Sequence, residues 1–184
     1  VLGKFYDSTQ LDTEAVAPPI TGQGRTDIFV AKYDGELSLL WSFVTGGAGD
    51  DIPVGFALSP QGDIVVAGTF AGTVDFDPGP GTTTLVSHGG TDVFFLRISS
   101  AGEFLWAESL GGTRGDTASG VVFVGEDALV YGQFWETVDF DPSPTESFEM
   151  ISSGRTDGFL ARYDSEGLFS WCGQIGGLDD DSII

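Results

Sequence analysis

The chain has 184 residues, 41% of them hydrophobic and 12% aromatic, which is enough to bury a core and excludes a disordered polar segment. Its 28 acidic against 7 basic residues leave a formal net charge of -21, which excludes nucleic acid and anionic membrane as natural partners, because Lys and Arg supply that affinity. Cys172 is the single cysteine, so no disulfide forms within the chain, and no apolar run approaches the roughly 20 residues of a membrane span.

In chain order, the first element is the stretch GKFYDSTQLDTEAVAPPITGQGRTD from Gly3, followed by GRTDIFVAKYDGELSLLWSFVTGG, which ends at Gly47. FALSPQGDIVVAGTF then reads as two strands around a Pro-Gly turn, and TVDFDPGPGTTTLVS as a second hairpin. DVFFLRIS and EFLWAESL are two further strands, each short and set off by Gly, Ser or Asp. No stretch has a helical period.

These elements recur. GGTDVFFLRISSAGEFLWAESLGG, ending at Gly112, and GRTDGFLARYDSEGLFSWCGQIGG, ending at Gly177, repeat the segment that ends at Gly47. Asp27, Asp92 and Asp157 are 65 residues apart, as are Trp41, Trp106 and Trp171, and Asp51, Asp116 and Asp181. The offset drops to 64 where Ser59 to Asp63 is matched by the shorter Gly125 to Ala128, and insertions of this kind belong in turns. The stretch from Gly3 aligns without gaps to the one from Gly68, with Gln10, Leu11 and Asp12 in place of the later VDFDP.

The spacing predicts an all-β fold, a β-propeller-like array of about three 65-residue blade repeats, each a four-stranded antiparallel sheet with an extra hairpin. Its bounds are 1–47 for a partial first repeat, 48–112 and 113–177 for the second and third, and 178–184 for the start of a further one. Three blades are fewer than the 4 to 8 that usually close a propeller, so a fragment of a longer propeller or array is expected. The alternative is several copies completing one another by strand exchange at exposed edges.

TDIFVAKYD at Thr26 to Asp34, the three tryptophans, GGAGDD at Gly46 to Asp51 and VDFDPGPGT at Val74 to Thr82 resemble the bacterial β-propeller repeat known as SBBP. The resemblance covers essentially the whole chain and departs from the pattern at Gly158 and in the first unit, which lacks FDP. It implies a propeller-type fold in secreted or cell-surface bacterial proteins and carries over no catalytic residue. VLGKFYDS has no signal-peptide character, so an export signal is expected outside this segment.

The repeated aspartates are the candidate metal ligands. In a strand, Asp75 and Asp77 share a face, as do Asp139 and Asp141, and paired carboxylates suit Ca²⁺. Against this stands turn chemistry, with Asp accepting backbone N–H groups before Pro78 and Pro142. Asp50, Asp51, Asp116 and Asp181 in the glycine-rich loops, two of which carry further carboxylates, are calcium candidates of lower grade, with loop-amide bonding as the competing reading. Ca²⁺ is therefore the one cofactor considered.

Lys32, Arg97 and Arg162 share one repeat position and use three of seven basic residues, which predicts ion pairs between neighbouring units, with anion binding second. Trp41, Trp106 and Trp171 are expected to pack between blades. Trp135 stands where the other units have Tyr6 and Ala71, so it is a candidate for stacking on sugar or peptide, against ordinary packing. His88 and Cys172 lack the partners of a zinc site or nucleophile.

The expected function is a non-catalytic structural or interaction domain of an extracellular or bacterial cell-surface protein, with Ca²⁺ as a potential stabiliser. Its expected partners are further repeats of the same protein, other copies, or a surface protein or glycan. A calcium-dependent adhesin or carbohydrate-binding module is the second reading. An enzyme using a central channel is the third.

Overall fold

Alternating apolar runs closed by turn residues fold here as antiparallel strands. The computed structural model describes residues 1–12 and 18–183 and contains no helix among them. Thr13 to Ala17, within the stretch aligned to the later VDFDP hairpins, and Ile184, the last residue of the repeat register, lie outside the described residues.

The strands are β1 (Leu2–Phe5), β2 (Ser8–Thr9), β3 (Ile20–Thr21), β4 (Asp27–Tyr33) and β5 (Leu39–Gly47) in the first repeat. The second contributes β6 (Ile52–Leu58), β7 (Ile64–Phe70), β8 (Thr73–Asp75), β9 (Thr84–Val86), β10 (Asp92–Ile98) and β11 (Phe104–Leu110). The third contributes β12 (Thr117–Val124), β13 (Asp127–Asp139), β14 (Glu149–Tyr163) and β15 (Phe169–Ile175). They form four antiparallel sheets, ordered β1-β4-β5-β8-β9, β11-β10-β7-β6, β12-β13-β14-β15 and the small pair β2-β3.

The extra hairpin is not where the repeat pattern places it. β8 pairs with the end of β5, Gly46 opposite Asp75 and Gly47 opposite Val74, so the second unit's hairpin completes the first unit's sheet. Thr45 Oγ1 adds a hydrogen bond to the Asp75 carbonyl at 2.8 Å. A bridge between Gly111 and Asp139 makes the same connection between the second and third units. In the third unit the hairpin is continuous with β13 and β14, whose pairing is interrupted between Trp135 and Thr137.

The three large sheets pack face to face. β7 and β10 are covered on both faces and are therefore almost wholly apolar. Ile64, Val66, Phe94 and Leu96 join Ile28, Val30 and Phe43 of the first sheet in one core. Val65, Ala67, Val93 and Phe95 point the other way, to Val130, Phe134, Phe159 and Tyr163 of the third sheet. Phe76 and Phe140, the central residues of the two hairpins, are fully buried against Phe94 and Phe159, at ring separations of 5.0 and 5.2 Å. Leu11 stands in for them in the first unit, where its carbonyl accepts the Tyr33 hydroxyl, as the Phe140 carbonyl accepts that of Tyr163.

Candidate functional site

The loop aspartates are fastened to main chain. Asp51, Asp116 and Asp181 each accept the N–H of the second glycine of a Gly-Gly pair, Gly47, Gly112 and Gly177, at 2.7 Å. Their own N–H groups donate to the carbonyls of Thr26, Thr91 and Thr156, so each loop is held at two points. Asp27, Asp92 and Asp157 face them, are at most 1% exposed, and accept N–H groups from Gln23, His88 and Ser153. In each of these three the Oδ1 atom has no hydrogen-bond partner and lies against the first glycine of the pair. A Cβ on Gly46 would fall 1.9 Å from Asp27 Oδ1, which explains the glycine and leaves that oxygen covered by main chain.

Burial and a neighbouring charge disfavour ionisation at Asp51 and Asp116. Burial pushes Asp51 and Asp116 up to about 6, with the charges of Asp27 and Asp92 respectively adding to the effect and the glycine N–H bonds opposing it. Asp92 is raised by burial too, against the pull of His88. The Trp135 N–H bonds Asp116 Oδ1 at 2.8 Å; the equivalent Ala71 N–H lowers the pKa of Asp51 without reaching hydrogen-bond geometry with its Oδ1. Asp50 is engaged at the rim, accepting from Thr26 Oγ1 at 2.8 Å and pairing with Arg25 at 3.6 Å.

The hairpin carboxylates do not act as a strand-borne pair. β8 ends at Asp75 and β13 at Asp139, so Asp77 and Asp141 already belong to the turn. Asp75 Oδ1 accepts from the amides of Asp77 and Thr83, and Asp139 Oδ1 from those of Asp141 and Phe148. Asp77 and Asp141 in turn accept from Gly79 and Ser143. The expected shared face gives way because Asp-Pro turn geometry begins one residue earlier than an extended strand would allow. Among the described residues no group of three or more His, Cys, Asp or Glu side chains is arranged to hold a metal ion.

The basic position behaves differently in each unit. Buried Arg97 reaches Asp63 of its own sheet at 3.0 Å and Glu126 of the next at 3.2 Å, and donates to the Ser165 carbonyl as well. Arg162 pairs within its own sheet, with Asp127 at 2.9 Å. Exposed Lys32 donates to the Ser100 carbonyl, across the sheet boundary, without a carboxylate. Trp41 and Trp106 lie over Gly102 and Gly167 of the following unit, both at positive φ, while Trp171 is 43% exposed. Trp135 is half-buried beneath Arg114, whose guanidinium is 5.9 Å from its ring centre.

Two surface features were not singled out by the sequence pattern. Glu108 on β11 replaces Phe43 and Gly173 of the other units and lines two adjoining clefts with Asp141, Pro142, Ser143 and Pro144. Burial, with nothing opposing it, pushes its carboxyl up to about 7. The signal was a charge at an apolar strand position. The other feature is an apolar groove of about 460 Å³ between the first and second sheets, lined by Val1, Tyr33, Trp41, Phe56, Leu58 and Ile64 among others. Phe56 and Leu58 are 46% and 60% exposed there. The groove adjoins β1, which pairs with β4.

No protein-family model matches the chain, so the likeness to SBBP repeats rests on the motifs alone. An uncharacterized WD repeat-containing protein of Acanthamoeba polyphaga mimivirus is 27% identical over 174 residues, which covers 85% of this chain and 12% of that protein. The regulatory protein FlaEY of Caulobacter vibrioides is 37% identical over 93 residues, 50% of this chain and 10% of its own length. The chain thus spans about a tenth of each of these curated relatives.

Proposed function

We propose that this chain is a non-catalytic, protein-binding repeat module, its three large sheets being blades of a β-propeller-like array of the SBBP-repeat kind in a secreted or cell-surface bacterial protein. One observation carries the reading. The polar residues that the repeat copies are consumed by the fold itself: carboxylates on loop amides, Arg97 and Arg162 on carboxylates. What the described residues offer outward is an apolar groove and loops. The match to a WD repeat-containing protein supports an interaction role, since stacked repeats present extended binding surfaces. The acidic surface and the motif resemblance support export.

Selection of a random peptide-display library on the immobilised chain tests this. Peptide families that bind saturably and compete with one another are expected. A library that yields no saturable binder refutes the protein-binding role.

A further inference from the structure

The inference rests on the protein-binding reading above and names a surface and the chemistry of what it receives. Between the first and second units a cleft lies among Ser42 of β5, the Asp77 to Gly81 turn and the Gly102 to Phe104 corner. The same cleft recurs between the second and third units, with a volume of about 340 Å³ and walls of Pro142, Pro144, Leu168 and Phe169. The first of them stays open although a whole further unit packs beyond it, so the cleft is a product of the repeat.

Two side chains that the repeat does not copy set the second cleft apart. Glu108 occupies the position of Phe43, which is 2% exposed in the core of the first pair of sheets and lines no part of the first cleft. Opposite Phe95, Glu108 faces the third sheet instead and lines both this cleft and the one adjoining it. Its carboxyl has no hydrogen bond or ion pair among the described residues. Phe148 stands where the second unit has Thr83, since their carbonyls accept the matching N–H groups of Phe140 and Phe76. It is 41% exposed and its ring lies 5.1 Å from that of Phe169, on the cleft wall. A carboxyl that the fold leaves unpaired at an apolar position thus sits beneath an aromatic and proline rim, and breaks of a local rule of this kind mark functional sites.

We propose that this cleft receives an arginine side chain from a basic segment of a partner protein. The guanidinium pairs with Glu108 and lays its plane against Phe169 and the proline rings, while Asp141 and Glu146 at the mouth face the rest of the segment. A planar, weakly hydrated guanidinium serves a carboxylate and an aromatic face together, as a compact ammonium does not. The net charge of -21 draws basic segments to the surface as a whole, and Glu108 fixes where the arginine enters.

The probe is a capped pentapeptide, Gly-Ala-Arg-Ala-Gly, titrated at pH 8 into the isotope-labelled 184-residue chain and followed by amide chemical shifts. Saturable shifts are expected at Ser143, Leu168 and Phe169. Affinity should fall about tenfold with Glu108→Gln or with citrulline in place of arginine, fall several-fold with lysine in that place, and change less than about twofold with Glu103→Gln in the first cleft. In the His88→Gln chain, which removes the imidazole of the adjoining cleft, affinity should rise between pH 5 and 8 as the free Glu108 carboxyl gives up its proton, and adding Glu108→Gln should abolish that rise. Shifts scattered over the acidic surface, equal binding of the citrulline or lysine peptide, or affinity indifferent to Glu108→Gln overturns the proposal. If library peptides bind saturably while this probe does not, the cleft assignment fails and the protein-binding reading stands; if neither binds, both fail.

Discussion

Replacing Glu108 with Gln isolates a carboxyl whose burial nothing opposes. It sits on β11 opposite Phe95, against the Asp141 to Pro144 turn, and keeps its proton to about pH 7 rather than 4.5 because burial disfavours the charge. At about 1.4 kcal/mol per pH unit, ionising it in place costs about 3 kcal/mol. Water at its partly open edge reduces that to roughly 2 kcal/mol. The unfolded chain releases this proton near pH 4.5 and the folded chain near 7, so stability declines across that window and levels above it. Gln cannot ionise. The Glu108→Gln chain should melt with the parent at pH 4 and about 4–8 °C above it at pH 8, at about 2–4 °C per kcal/mol for a domain of this size. Paired melts followed by tryptophan fluorescence remove the contribution of Asp51, Asp116 and overall charge repulsion, since both chains share them. Equal melting temperatures at pH 8, or a lower one for the variant, would refute the assignment of an uncompensated buried carboxyl.

Asp51 and Asp116, raised to about 6, act in the same direction, so the Glu108→Gln chain should still lose stability between pH 4 and 6, measured by urea unfolding. Arg97→Met leaves Asp63 and Glu126 without their guanidinium and should cost about 3 kcal/mol, read as a fall in the urea midpoint; an unchanged midpoint would show that the pairs are dispensable. Gly46→Ala drives a methyl group into Asp27 Oδ1 and should destabilise by about 2–4 kcal/mol, whereas Gly35→Ala, with open space around it, should stay within about 0.5 kcal/mol of the parent. Because each repeated carboxylate already accepts main-chain N–H groups, millimolar calcium should shift the melting temperature by less than about 2 °C; a shift of several degrees over a chelator control would support the metal reading of Asp75, Asp139 and the loop aspartates instead.

The strands were legible because their apolar runs are short and their turns carry Gly, Pro, Ser and Asp, signals that act within a few residues. β6, β7, β10 and β11 fall where the repeat pattern predicts them. The partner of the TVDFDP hairpin was not legible, because periodicity reports which face of a strand is buried and not which neighbour it meets. Asp75 and Asp77 were read as sharing a strand face because alternation was carried one residue past the point where the Asp-Pro turn takes over. For Asp27, the match to Asp92 and Asp157 was visible, but its burial against Gly46 depends on the end of the paired strand β5, which alternation along β4 does not report. Glu108 was overlooked because a repeat draws attention to what is copied, and its significance lies in being the exception.

The attachment of each hairpin to the sheet before it also bears on how the array comes apart. Because β8 is hydrogen-bonded to β5 while Phe76 is wedged beside Phe70 and Phe94, opening the second unit strips an edge from the first and unplugs the layer between them. Units that interlock in this way have a large nearest-neighbour coupling relative to their own stability. Such an array resists fraying at its ends and melts in one sharp step, and excising a single 65-residue period would cut through two sheets at once.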